Sequence, residues 1–261
     1  MTANPQPRVQ VDLEPRGEGV VARVTIDNAT RLNIIGRALM AELTGEVTAL
    51  AAREDLRALV LTGAGDRAFI GGANIREMAV LDRAAAREFI TALHRTCAAL
   101  RDLPVPVIAR INGYALGAGL EVAAACDLRL AAANAVFGMP EVKVGIPSVI
   151  EAALLPGLIG WGRTRELLLL GESIDAETAL RWGLVQRVVR AQDLDAAVES
   201  CLAALLEAGP RAVRLQKELI RQWEELPLSG AIAAGIDSFA DAYASDEPSR
   251  LMRAFLERRR R

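Results

Sequence analysis

The sequence predicts an α/β layered fold, and three observations carry that prediction. Short apolar runs of strand length stand at residues 58–62 (ALVLT) and 107–111 (VIARI), the pattern of strands buried on both faces. Longer stretches between them return their apolar residues at helical spacing. Strand and helix alternate through the first half of the chain, as a layered core with helices packed on a sheet requires.

In chain order, a polar, proline-containing lead precedes residues 20–26, which alternate enough for a strand, and residues 27–33 read as a loop. Residues 37–53 have helical composition. The 58–62 strand is bounded by Gly63, Ala64 and Gly65. A loop over 65–72 and a short helix from Asn74 follow. Residues 83–102 form a long amphipathic pattern that Pro104 and Pro106 end. The 107–111 strand leads into a glycine-rich turn and a helix, and residues 128–131 read as a fourth strand. A loop passes through Phe137, Met139 and Pro140. Segments 148–158, 163–170 and 175–182 are predicted helical, and 184–189 a further strand. From Leu194 onward only helical segments are expected, broken at Gly209-Pro210, Pro227 and Pro248. The chain therefore divides at about residue 192: 1–192 an α/β core, 193–261 a helical region.

Composition narrows the function classes. The 261 residues, 52% hydrophobic and 25% charged, suffice for a sizeable core. With 31 basic and 33 acidic residues the net charge is −2, which argues against nucleic acid or an anionic membrane as partner; the terminal ERRRR run reads as a solvated helix end. Cys97, Cys126 and Cys201 are widely spaced and odd in number, so neither a disulfide framework nor a zinc site is expected. No signal-peptide pattern opens the chain, and no apolar run reaches the roughly 18 residues a membrane span needs. A cytoplasmic protein is expected.

Three segments carry chemistry. In residues 112–127, NGYALGAGLEVAAACD, a glycine-rich turn runs into a helix start, whose first N–H groups lack intrahelical partners and suit an oxygen bearing negative charge. Glu121 is the one carboxylate in that apolar helix. In residues 68–78, AFIGGANIREM, Gly71-Gly72 opens a second helix start at Ala73-Asn74. Two such starts converging on one oxygen make an oxyanion hole, where each donor is worth roughly 10²–10³ in rate. The third segment, residues 137–147, FGMPEVKVGIP, brings Glu141 twenty residues after Glu121. Two carboxylates beside an oxyanion site are the parts needed to move protons next to a carbonyl.

These three segments, in this order and at these separations, resemble the crotonase superfamily of enoyl-CoA hydratases and isomerases, as does the terminal YASDEPSRLMRAFLERRR. The resemblance covers about residue 20 to the end. It implies a spiral of ββα units with a helical C-terminal region that builds a homotrimer or a dimer of trimers. It implies an acyl-CoA thioester substrate and no metal or redox cofactor. Ala73 and Ala118 would donate the two N–H groups that polarise the thioester carbonyl; Glu121 would activate water and Glu141 exchange the proton at the α-carbon. Coenzyme A would lie along the loop that holds Arg31 and Leu32 and along Asn74, Ile75 and Arg76, with Arg258 from the last helix as a further basic contact. The implied reaction is hydration of a 2-enoyl-CoA; double-bond isomerisation, other acyl-CoA chemistry such as hydrolysis or decarboxylation, and a silent CoA- or RNA-binding scaffold are the rivals.

The chain also departs from the family pattern. Asn74 stands where Asp is frequent and Ala118 where glycine is frequent. Ser148, Val149, Ile150 and Glu151 replace a glycine-rich run, in a region that covers the acyl group in the family. Ser148 and Glu151 read as a helix capping box. His94 reads as structural or surface, without an acidic or serine partner, Cys126 as a small buried apolar residue, and Trp161, Trp182 and Trp223 as packing.

Overall fold

The computed structural model describes residues 6–258; Arg259 to Arg261 of the terminal basic run lie outside them. The apolar runs assemble into a six-stranded sheet made of β1 (Arg8–Arg16), β2 (Gly19–Asp27), β3 (Leu56–Gly63), β5 (Val107–Ile111), β7 (Leu128–Ala132) and β10 (Arg187–Val189), in the order β1-β2-β3-β5-β7-β10. The first pair is an antiparallel hairpin and the remaining pairs are parallel. A second sheet, β4 (Ala68–Ile70), β6 (Tyr114–Leu116), β8 (Val136–Gly138) and β9 (Ser173–Asp175), is parallel except for its last pair.

The period of β3 shows why its apolar run is continuous. Leu56, Leu59 and Leu61 face the main core, while Ala58 and Val60 face a second cluster on the other side of the sheet. Both faces are dry, so no polar alternation survives. The main core is closed by α1 (Arg37–Ala51), α3 (Arg83–Asp102) and α4 (Ala118–Ala125), which contribute Leu43, Leu93, Leu120 and Val122. The opposite face is covered by Leu194, Val198 and Leu202 of α7 (Leu194–Glu207). The helical segment is thus bound to the sheet from its first helix, which lies just beyond the division drawn at residue 192.

The remaining helices are α2 (Ile75–Met78), α5 (Leu155–Leu170), α6 (Ala176–Trp182), α8 (Pro210–Glu225), α9 (Leu228–Ala242) and α10 (Glu247–Arg258). Local chemistry fixes several boundaries. Asp82 and Asp175 cap α3 and α6, each accepting from a backbone N–H at 2.8 Å. Lys217 of α8 is buried and donates to the Val105 carbonyl at 2.9 Å while pairing with Asp127 at 2.8 Å, which ties α8 to the starts of β5 and β7.

Several expectations change. The polar lead is strand β1: it is an edge strand with much of its surface exposed, so its sequence carries polar residues and tolerates Pro15. The expected loops hold the short strands β4, β6 and β8, which have three residues each and no period to detect. The two helices expected over 148–158 and 163–170 are present with shifted starts: a 3-10 turn Ile150–Leu154 precedes a helical segment from Leu155, and the non-helical Gly160 (φ 77°) separates it from the segment that runs on to Leu170, the two together making α5. Ser148 and Glu151 do not form a capping box: Val149 precedes the turn and makes no side-chain cap bond.

Candidate active site

The glycine-rich stretch builds the floor of the site. Asn112 donates to the carbonyls of Gly63 and Gly65 at 2.9 and 2.6 Å, which pins the segment to the end of β3. Gly117 then turns with φ +51°, and a Cβ there would collide with Oε1 of Glu141, so only glycine lets the carboxylate approach the backbone this closely. Gly119 packs against the Ile70 carbonyl with no room for a Cβ. The N–H groups of Leu120 and Glu121 both return to Gly117 O, at 2.8 and 3.0 Å, and start α4. The other end of α4 is held by Arg129, a buried residue absent from the sequence reading. Its guanidinium donates to the carbonyls of Cys126 (2.6 Å), Leu184 (2.7 Å) and Ala123 (3.3 Å), a cation at the negative helix terminus.

One cavity of about 480 Å³ brings together the four residues expected to carry catalysis, Ala73, Ala118, Glu121 and Glu141. Met78, Leu81, Phe89, Ile90 and Leu93 make its apolar wall. Among the described residues neither the Ala73 N–H nor the Ala118 N–H has a backbone acceptor. Glu121 is 4% exposed and makes no ion pair among them. Burial pushes its carboxyl up to about 8, helped by the nearby charges of Glu141 and Glu151 and opposed by the backbone N–H groups of Ala152 and Val149. Glu141 is half-buried, at the start of the 3-10 turn Pro140–Val144, and its Oε2 accepts from Ser148 Oγ at 2.9 Å. Ser148 therefore serves Glu141 rather than a helix start. Its only sequence signal is its place in the run that departs from glycine.

The expected coenzyme A contacts fall on two adjoining segments. Gly71 N–H donates to Leu32 O at 2.8 Å and Asn74 N–H to Ile35 O at 2.8 Å, so the loop carrying Arg31 and Leu32 runs beside the start of α2. That loop is clasped by buried Asn33, which takes the Asn28 N–H and gives to the carbonyls of Ala64 and Ala68. Asn74 is occupied structurally: it caps α2 through Arg76 N–H and donates to Glu77 at 2.7 Å. Ile75, Arg31 and Arg76 are exposed, and neither arginine side chain has an ion-pair partner among the described residues. Arg258 is exposed at the end of α10 and does not line the cavity.

Other single-residue readings change. His94 does have an acidic partner, since its Nδ1 lies 2.8 Å from Oε1 of buried Glu151. Trp161 is 64% exposed and sits under Arg165 instead of packing in the core, and Trp223 is half exposed, donating to Ala231 O at 3.1 Å. Trp182 does pack on the core. Cys126 is buried, its thiol pushed up to about 12 by burial, which leaves it inert.

The two sheets with their helices, and a glycine-lined helix start at one apolar cavity, make this a crotonase-fold protein. The chain belongs to the enoyl-CoA hydratase/isomerase family, whose model matches residues 16–261. It is 34% identical over 244 residues to a short-chain-enoyl-CoA hydratase of Clostridium acetobutylicum, covering 93% of this chain and 94% of that one. A crotonyl-CoA hydratase of Syntrophomonas wolfei is 35% identical with the same coverage. Among solved structures, an enoyl-CoA hydratase from Bacillus anthracis superposes with a TM-score of 0.90 at 31% identity, covering 96% of each chain. Pseudomonas aeruginosa DspI gives 0.89 at 33%, covering 99% of this chain and 98% of that one.

Proposed function

We propose that the protein is an enoyl-CoA hydratase that adds water reversibly and syn across the double bond of a 2-enoyl-CoA. The observation that carries this reading is the meeting, in the wall of one apolar cavity, of two glutamates and two N–H groups without a backbone acceptor among the described residues. In the hydration direction the water oxygen bonds to C3 as Glu121 takes its proton, and Glu141 delivers a proton to C2. Negative charge on the thioester oxygen is held by the N–H groups of Ala73 and Ala118. Elimination reverses these transfers and starts with the proton on Glu121, which is where burial keeps it at neutral pH. The two carboxyls carry one proton in either direction, and the Ser148 hydroxyl holds Glu141 in place through its hydrogen bond. Arg31, Leu32, Asn74, Ile75 and Arg76 form the rim on which coenzyme A is read, with Arg258 reaching a site only if a neighbouring subunit supplies it.

Glu121→Gln and Glu141→Gln should each lower turnover by ~10²–10⁴, the scale of general acid–base residues. The assay incubates a panel of acyl-CoA thioesters, 3-enoyl as well as 2-enoyl, with each protein and follows mass. A gain of one water on the 2-enoyl thioester supports hydration; a moved double bond without mass change would give the isomerase reading instead. Unchanged hydration by both variants would sink the mechanism.

The helical C-terminal region supports self-association. Leu228, Ile232, Ile236 and Phe239 of α9 are 58–78% exposed, more apolar surface than an isolated helix face keeps in water. A trimer, or a pair of trimers, is the assembly proposed. Among the described residues no helix is long and apolar enough to cross a membrane, and a cytoplasmic location is proposed on composition alone.

A further inference from the structure

Glu151 is a buried acid that the proposed reaction does not use. It is 4% exposed, and its Oε2 is buried with no hydrogen-bond partner among the described residues. A carboxylate so placed costs several kcal/mol unless something else compensates it. Its other oxygen lies 2.8 Å from Nδ1 of His94, whose side chain is half exposed. Glu151 sits between Val149 and Ala152, the two residues whose backbone N–H groups support the Glu121 carboxylate. Ile150, beside it, is held at φ 41°, a strained conformation for a β-branched residue.

The 3-10 turn that carries Glu151 packs on α3, α4 and α5. From α4 it meets Glu121, on which the charges of Glu141 and Glu151 both act. From α3 come His94, Cys97 and Arg101. The Cys97 thiol, raised by burial and then by Glu151, stays protonated and neutral. Arg101 is committed to Glu224 at 2.6 Å. The charged residues of α5, Arg163, Arg165 and Glu166, are exposed. Among the described residues His94 is thus the one cation-capable group hydrogen-bonded to Glu151.

We propose that Glu151 and His94 are positioning residues for the reaction: the imidazole holds the buried Glu151 carboxyl in place beside Glu121, so that the pair governs when Glu121 gives up its proton. The proposal rests on the reading of Glu121 as a proton carrier. Because the pair Glu121 and Glu141 must retain one proton, activity is lost at the alkaline pH where Glu121 ionises. Glu151→Gln removes a like charge and moves that ionisation down. His94→Ala does the same, because it removes the 2.8 Å hydrogen bond that holds the Glu151 carboxyl in place beside Glu121.

The test follows the side-chain carboxyl carbons of the full chain by NMR after ¹³C-glutamate labelling, with Glu121→Gln to assign the signal, beside the pH profile of kcat/KM. The Glu121 midpoint should fall by about one pH unit in Glu151→Gln, the scale of a like-charge neighbour, and in the same direction in His94→Ala. The double variant should fall no further than Glu151→Gln alone, as expected of one pathway. The alkaline limb of kcat/KM should move with the midpoint. A midpoint that stays put in both single variants overturns the proposal, even if turnover or melting temperature drops, since a merely structural pair would cause only those losses. His94→Ala changes a half-exposed site and carries the test if Glu151→Gln does not fold. A wild-type protein that fails to hydrate 2-enoyl-CoA while its Glu121 midpoint responds to Glu151 would refute the functional reading and leave the coupling standing.

Discussion

Glu121 shows how one residue joins stability to activity. Its carboxyl is raised from an ordinary 4.5 to about 8, first by burial and then by Glu141 and Glu151. The folded protein therefore holds this proton more tightly than the unfolded chain does. The stability contributed by the proton is complete below about pH 4.5 and is lost as pH rises through about 8, at a cost on the order of 4 kcal/mol. Glu121→Gln carries no charge to lose. Its stability relative to wild type should grow by several kcal/mol between pH 5 and 9 in denaturant titrations; a difference independent of pH would show that the carboxyl is not raised. Much of this residue was legible from its apolar sequence neighbours, whereas Glu151 was not. S-x-x-E is also the spelling of a helix cap, and only the fold places His94, fifty-seven positions earlier, against it.

At the scale of elements, the site depends on where α4 begins and how it ends. Its start is written locally, in Gly117 and Gly119, whose missing side chains make room for Glu141 and for the Ile70 carbonyl. Its end is fixed from outside, by Arg129 reaching the carbonyls of Ala123, Cys126 and Leu184. Arg129→Met leaves the carbonyls of Cys126 and Leu184 without donors, Ala123 O keeping the N–H of Cys126, and each unmet group costs about 1–3 kcal/mol. Unfolding should show a loss of at least about 2 kcal/mol, and turnover should fall with it because α4 carries both Ala118 and Glu121. A variant as stable as wild type would remove Arg129 from this account. The same contrast governs what the sequence discloses about strands. β3 and β5, buried on both faces, are visible as apolar runs, while β4, β6 and β8 have three residues each and exist because a neighbouring strand pairs with them.

For the whole molecule, the exposed apolar residues of α9, with Leu251, Met252 and Leu256 of α10, set the expected assembly. Ile236 is 67% exposed, and Ile236→Asp would place an unpaired charge in any interface built there. Light scattering should give a multiple of three chains for wild type and smaller species for the variant. A monomeric wild-type protein would leave those residues for another partner. The division near residue 192 looks different at this scale, because α7 closes one face of the main sheet and Lys217 of α8 is buried against it. Helical composition marks a change of secondary structure there, and packing continues across it.

By itself the sequence determined the alternating core, both long helices of the first half, the four residues that meet in the cavity, and the family. These are set by local rules: burial on two faces, helical period, glycine where a backbone must approach closely, and motifs that keep their order along the chain. The tertiary structure alone decided the partnership of Ser148 with Glu141, the burial of Glu151 against His94, the arginine clamp on α4, and the short strands of the second sheet. Each of these is a contact between residues far apart in the chain or at a turn whose geometry overrides its spelling. Such contacts have no signature in periodicity or composition, because their energy comes from the desolvation and pairing that only the folded chain provides.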